Sequence, residues 1–386
     1  MKRFLVIGCA AVALAAGCGT ASAQSKFDVV IGGDAFFQGA YINQKNDSGL
    51  RSGEFANRFR LNITPTAKAD NGLEYGGRIR IRAASNDRRT DADRAFIFAN
   101  TSYGTLQAGV VNGLSDEFGI IGPNVEGVAG GPDNNTVNFL NGVNNVTGAS
   151  LVELLPSTTN NFRALASGDV GTKVIYLTPI IAGFQGGVSY MPRSGDHNTS
   201  VNRGKNNGGY LAFQDVVEVG GVYRNEFGDF AVEASAFYQF GQSVSDATTA
   251  TSFEDLSSVH VGANVGYGGF KVGGSYAYSG DSGYDRSLAN KERQDIWIVG
   301  AQYTTGPLVL AANYSHSRGN DNVTGTIPGK ADLYQAGVTY TVAPGLTTGL
   351  EYSFVDYETK LTPAQTGGIS LDDHAHIIMI DTRLAF

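Results

Sequence analysis

The chain has almost no cysteine: Cys9 and Cys18 are the only two in 386 residues, and both lie within the first two dozen positions. If that leading stretch is removed, no disulfide framework and no thiolate metal site is left, which argues against a small stapled extracellular domain. Long apolar runs are also missing. Beyond the leading stretch none reaches the ~18 residues that a membrane-spanning helix needs. That absence is silent about strands, because a strand with one face in lipid is apolar only at alternate positions. Positive charge is in deficit, 28 Lys and Arg against 36 Asp and Glu, a net charge of −8. Loss of Lys2 and Arg3 in a leader without acids takes the net charge to about −10 (−8 minus 2). Such a balance argues against nucleic acid as a partner. There is no zinc-protease helix motif, P-loop or dinucleotide fingerprint.

What is present begins with the leader. Met1-Lys2-Arg3 is positive, Phe4 to Ala16 is apolar, and Ala21-Ser22-Ala23 matches a small-x-small cleavage site before Gln24. Residues 1–23 therefore read as a secretory signal peptide, leaving 24–386 as one mature domain. Ala16-Gly17-Cys18 resembles a lipoprotein cleavage site, and lipidation of Cys18 is the alternative. A composition of 52 Gly and 18 Tyr suits either an aromatic-girdled barrel or a secreted β-sandwich.

The pattern along the chain separates those two. In Glu54–Ile63, Phe55, Phe59, Leu61 and Ile63 fall on one face and Glu54, Arg58, Arg60 and Asn62 on the other. In Leu73–Arg82, Leu73, Tyr75, Ile79 and Ile81 share a face and Arg78, Arg80 and Arg82 share the opposite one. Period two of this kind is the strand signature. It recurs about sixteen times, near 27–38, 52–64, 72–84, 92–101, 104–110, 171–178, 183–191, 210–223, 229–240, 256–266, 269–279, 293–304, 307–317, 331–342, 345–357 and 373–386. Short turns such as Ser102-Tyr103-Gly104, Asn225–Gly228 and Ala343-Pro344-Gly345 alternate with longer polar loops. Short turns on one side and long loops on the other mark a transmembrane barrel and are hard to obtain from Greek-key links. The expected fold is therefore all-β: a closed antiparallel transmembrane barrel of about sixteen strands, with Tyr276, Tyr278, Tyr340, Tyr352 and Phe354 in interfacial girdles.

One stretch breaks the pattern. From about Val111 to Val170 the chain is rich in glycine and asparagine and has no steady period. An insert of this length is usually functional or disordered. It carries Asp116, Glu117, Glu126, Asp133 and Glu153, while the strands before it carry arginines. The expectation is a third long loop folded into the lumen and narrowing it. Arg58, Arg60, Arg78, Arg80 and Arg82 on adjacent strands repel one another, and facing lipid would cost roughly 2–4 kcal/mol each, so they face water or acids. Placed opposite Asp116, Glu117, Glu126 and Asp133 they would set a transverse field that filters solutes by charge. Asp381 and Arg383 should point inward on the last strand, where the expectation is that they simply pair.

Several stretches resemble the general-diffusion porins of Gram-negative outer membranes. Arg94-Ala95-Phe96-Ile97-Phe98 through Tyr103-Gly104-Thr105-Leu106-Gln107-Ala108-Gly109 resembles the strand pair before that family's third loop. Ser115-Asp116-Glu117-Phe118-Gly119 is similar to its Pro-Glu-Phe-Gly element, with Asp116 where proline is usual. Lys173 to Tyr190 looks like the sixth and seventh strands of the alphaproteobacterial type, and terminal Phe386 matches the family's assembly signal. The resemblance implies a homotrimer in the outer membrane, in contact with lipid and lipopolysaccharide, passing small hydrophilic solutes and ions without a cofactor. Net acidity tilts the expected preference toward cations; the clustered arginines pull toward anions at the narrowest point.

Other readings attach to single motifs. A substrate-specific channel, a barrel enzyme and a plugged adhesive barrel are the alternatives. Gly280-Asp281-Ser282-Gly283 is like a serine-protease nucleophile segment, with Tyr284 where glycine belongs, but glycine, serine and aspartate are ordinary loop residues. His374 and His376 share a face without a third ligand. Asp372 and Asp373 beside them are candidates for rim-bound calcium.

Overall fold

The computed structural model describes residues 26–46, 49–83, 90–123, 139–140, 171–196, 198–199, 201–205, 208, 212–289, 291–320, 328–360 and 372–386. The leader 1–23 and the acids Glu126, Asp133 and Glu153 lie outside them. The chain opens with β1 (Asp28–Gln44), β2 (Gly53–Lys68), β3 (Glu74–Ala83), β4 (Thr90–Thr101) and β5 (Gly104–Val110). A five-residue helix, α1 (Leu114–Phe118), starts the insert. After it come β6 (Thr172–Leu177), β7 (Phe184–Arg193), β8 (Phe213–Phe227), β9 (Phe230–Ser243), β10 (Leu256–Tyr267) and β11 (Phe270–Gly280). The remaining strands are β12 (Gln294–Thr305), β13 (Leu308–Asn320), β14 (Pro328–Ala343), β15 (Leu346–Thr359) and β16 (Asp373–Ala385).

Each strand pairs antiparallel with the next, and β16 pairs with β1 to close the barrel. Closure leaves no unpaired edge, which a hydrocarbon environment would not tolerate. At the seam the Gly33 N–H donates to the Phe386 carbonyl at 2.8 Å and the Phe386 N–H donates to Gly33 O at 3.1 Å. No helix among the described residues is long and apolar enough to cross a membrane.

The period-two pattern becomes two faces. On β16, Asp373, Ala375, Ile377, Met379 and Asp381 are buried, while His374, His376, Ile378 and Ile380 between them are exposed. The buried face lines the lumen; the outer face carries large apolar groups such as Phe55, Ile97 and Ile380, 75, 68 and 61 % exposed. Aromatic rings bound that apolar band. Phe230 stacks near Tyr267 (4.7 Å) and Phe270 near Tyr303 (4.4 Å) at the short-turn end. Trp297, Tyr314 and Tyr334 form a row at the other end, with centroids 4.9 and 4.6 Å apart.

All sixteen expected strands are present, and their ends differ on both sides: at the short turns β2 runs on to Lys68 and β8 to Phe227, and the long-loop ends differ as well. β1 runs to Gln44, β13 to Asn320, and β14 starts at Pro328. There the outer face turns polar (Asn43, His316, Asp332), so the apolar period fades while the backbone ladder continues.

Candidate functional site

The described residues of the insert, 111–123 and 139–140, lie inside the barrel against its inner wall. Its start is tied down by Lys173, buried on β6, whose Nζ donates to Val111 O at 2.6 Å and Gly171 O at 3.2 Å. α1 then begins at Gly113, which has no side chain with which to cap it. A five-residue helix leaves most of its N–H groups without internal partners, and the wall supplies one. Glu218 of β8, fully buried, accepts the Leu114 N–H at 2.6 Å and the Ser115 N–H at 2.8 Å. Gln239 of β9 donates to the same carboxylate at 3.2 Å. Leu114 inserts among Val111, Ile175, Leu177 and Phe237, with Phe96 and Phe118 packed on the cluster. Asp116 and Glu117 fall in the first turn, where the helix dipole favours acids.

Beyond α1 the loop runs across β9 to β12. The Ile120 N–H donates to Ser235 Oγ at 2.8 Å, and Asn264 Nδ2 donates to Ile121 O at 3.0 Å. Its backbone comes so close that the wall has no room for side chains. A Cβ added at Gly262 would stand 1.7 Å from Ile120 O, and one at Gly300 would stand 1.8 Å from Pro123 O. Further along, Phe139 and Leu140 pack on the opposite wall, against Ala40, Ile42, Ile377 and Met379 on one side and Leu333 and Val355 on the other. The described parts of the loop thus touch both sides of the lumen.

Arg58, Arg60, Arg78, Arg80 and Arg82 occupy the lumen face of β2 and β3. In register, Asp34, Arg60, Arg82 and Asp91 form one row across β1 to β4, and Arg80 stands opposite Arg94. The ion pairs among the described residues are with acids of the wall itself. Arg58 reaches Asp34 at 3.1 Å and lies over the Phe36 ring. Arg80 grips Asp93 through two bonds of 2.7 and 2.8 Å, and Arg82 bridges Asp93 (3.2 Å) and Asp91 (3.5 Å). Arg78 differs: its guanidinium is exposed and its contact is the Phe96 ring, 5.9 Å away.

Of the predicted acids, Glu117 is exposed and accepts from Asn112 Nδ2 at 2.7 Å, and Asp116 is half-buried beside it. Glu126 and Asp133 lie outside the described residues. Sequence reasoning missed Glu218, Lys173 and the wall acids Asp34, Asp91 and Asp93. The last two were readable as acids two apart in Thr90-Asp91-Ala92-Asp93-Arg94, and Glu218 as a lone acid within Val216-Val217-Glu218-Val219. Asp381 faces the lumen with no donor to its carboxylate, so it is not paired with Arg383.

The remaining motifs have structural uses. Ser282 is buried, donates to Ser279 O at 2.6 Å and accepts the Ser257 N–H at 3.0 Å, so it staples a loop. His374 and His376 lie on the outer face, and His376 Nδ1 bonds the Tyr352 hydroxyl at 2.8 Å. Asp373 accepts from Gln44 Nε2 at 2.6 Å and Asp372 accepts the Thr359 N–H at 3.0 Å. Among the described residues, no three His, Cys, Asp or Glu gather to hold a metal.

Comparison with known proteins agrees with this architecture. Residues 10–360 match the model of a family described as Gram-negative porin. An uncharacterised protein of Rickettsia bellii is 24% identical, covering 93% of this chain and 94% of its own. Among solved structures, a loop L8 deletion mutant of OmpT, an outer membrane protein of Vibrio cholerae, superposes with a TM-score of 0.60 at 14% identity, over 93% of this chain and 99% of that one. An anion-selective porin from Comamonas acidovorans superposes with a TM-score of 0.59 at 16% identity, over 94% of this chain and 100% of that one. At such identities the likeness to solved structures concerns the fold.

Proposed function

The chain belongs to the family of Gram-negative porins and is an outer-membrane channel, and from that premise we propose how it selects what passes. Small hydrophilic solutes and ions diffuse passively through a lumen that the loop 111–170 narrows, and no reaction is catalysed. The observation that carries this reading is the loop backbone laid on the lumen wall at Gly262 and Gly300, with α1 fixed to Glu218. A segment held at those points inside a closed barrel takes up cross-section. Charge selection arises between Arg78 on the wall and Glu117 on the loop, both exposed. The paired Arg58, Arg80 and Arg82 contribute less, since Asp34, Asp91 and Asp93 screen them.

The working unit in this reading is a homotrimer of the mature chain 24–386, exported by way of residues 1–23 and surrounded by lipid and lipopolysaccharide. A solved OmpT of Vibrio cholerae with this fold is described in a trimer form. In support, the outer face of β2 to β4 carries Phe55, Phe59, Leu61, Ile63, Ile79, Ile81 and Ile97, an apolar surface that a second copy could cover.

Single-channel current in a planar bilayer with a salt gradient tests the proposal. Large steps closing in three equal sublevels are expected, and the sign of the reversal potential gives the charge preference. Stable insertion without current would overturn the diffusion reading in favour of a plugged barrel.

A further inference from the structure

Arg383 on β16 is a lumen cation that no acid answers. In register it stands between Phe36 of β1 and Thr347 of β15, both on the lumen face. Thr347 comes two residues after Gly345 of the β14–β15 turn, so Arg383 lies at the short-turn mouth of the barrel. Its side chain is partly exposed, and its Nε has no hydrogen-bond partner. Asp381, on the same face, is buried and accepts no bond from it. Other charges of the lumen are matched. Arg58, in the same row beyond Phe36, reaches Asp34 at 3.1 Å, and Arg80 and Arg82 share Asp93. Elsewhere around the short-turn mouth Glu233 is held between Lys271 (2.8 Å) and Arg224 (3.6 Å), and Glu74 accepts from Asn100 at 2.7 Å. Like Arg78, Arg383 forms no ion pair among the described residues.

We propose that Arg383 is a specificity-determining residue of the channel: a fixed charge at the short-turn mouth that draws anions in and turns cations back. It acts in series with Arg78 and Glu117 at the loop. A free charge on a concave wall gathers counter-ions before they reach the narrowing, whereas a paired one is offset by its acid. The reach of such a charge depends on salt, about 30 Å at 0.01 M and about 3 Å at 1 M. Arg383 therefore governs entry when dilute solution bathes its mouth, and concentrated salt silences it. Because it sits near one mouth, it weighs more on solutes entering from that side.

This assignment rests on the channel reading, and the two fail in different ways. Arg383→Gln, Arg383→Lys and Thr347→Glu are compared with the unaltered protein by reversal potential in a salt gradient, once each migrates on a gel as a folded barrel before heating. With about 0.01 M salt on the dilute side, Arg383→Gln should lower the anion-to-cation permeability ratio about twofold, and with about 1 M there it should leave the ratio unchanged. Arg383→Lys keeps the charge and should keep the ratio. Thr347→Glu should lower it as Arg383→Gln does, by setting an acid opposite the arginine without removing it. The fall should differ in size when the gradient is reversed across the same channel. Current from the unaltered protein with an unchanged ratio in Arg383→Gln would overturn the proposal and leave the channel reading intact. An equal fall in Arg383→Lys would overturn it too, by giving Arg383 a packing role, and a fall of one size in both directions would overturn its placement at one mouth. No current from the unaltered protein would instead overturn the channel reading, and this assignment with it.

Discussion

At the scale of single residues, the lumen depends on groups whose partners come from distant parts of the chain. Glu218 takes the role that a serine or aspartate N-cap would play for α1, and it comes from β8, 104 residues after Leu114. A hydrogen bond to a charged group is worth ~1.5–3 kcal/mol, and a helix this short does not hold itself together. Glu218→Ala should therefore release the start of the loop. Single-channel recordings are expected to show larger and noisier steps from a barrel that still folds, with Glu218→Gln intermediate. Quiet steps of unchanged size in Glu218→Ala would show that the loop is held elsewhere. Arg78 calls for a different test. Lacking a carboxylate partner, it can be replaced without stranding an acid, so Arg78→Gln should move the reversal potential toward cations while conductance stays within about twofold. The arginine face was legible in the sequence because period two needs only the strand itself. Its counter-charges were not, since Asp34 and Asp91 come into line through the register of four strands, and Asp93 sits at an irregularity between β3 and β4.

At the scale of elements, the loop is positioned by what the wall lacks. Gly262 and Gly300 are lumen-facing positions of β10 and β12 at which any side chain would collide with the loop's carbonyls. Gly262→Val adds volume between wall and loop on a ladder that is otherwise intact. The loop should move toward the axis and conductance should fall, whereas a barrel that tolerates valine with unchanged current would place the narrowing elsewhere. The existence of the insert was plain in the sequence from its loss of period. Its path was not, because Gly262 in His260-Val261-Gly262-Ala263-Asn264 looks like any small residue of a strand. Only the closed barrel shows that Ile120 passes over it. Phe139 and Leu140 were similarly silent: two apolar residues in a polar segment acquire meaning from an apolar patch on the far wall.

At the scale of the whole molecule, the fold was legible almost throughout, because a closed barrel repeats one local rule. Each strand must alternate, and each connection must return the chain to its neighbour, so sixteen small signals reinforce one another. Closure is the one step without a local signal, since β1 and β16 meet across the full length of the chain. Phe386 completes that seam with two backbone bonds to Gly33, and its ring lies 5.9 Å from Phe59. At ~1 kcal/mol for each bond and a similar amount for the ring pair, deletion of Phe386 should cost about 3 kcal/mol at the seam. The same residue is proposed as an assembly signal, and the two roles separate by experiment. A seam role predicts that protein lacking Phe386, refolded in detergent, loses its heat-resistant compact form at a lower temperature than the full chain. A signal role acting alone predicts equal heat resistance after refolding and poor delivery to the outer membrane in cells. Leu in place of Phe386 keeps both backbone bonds, so its refolded stability should lie between the two, and stability equal to the deletion would assign the seam to the ring rather than to the ladder.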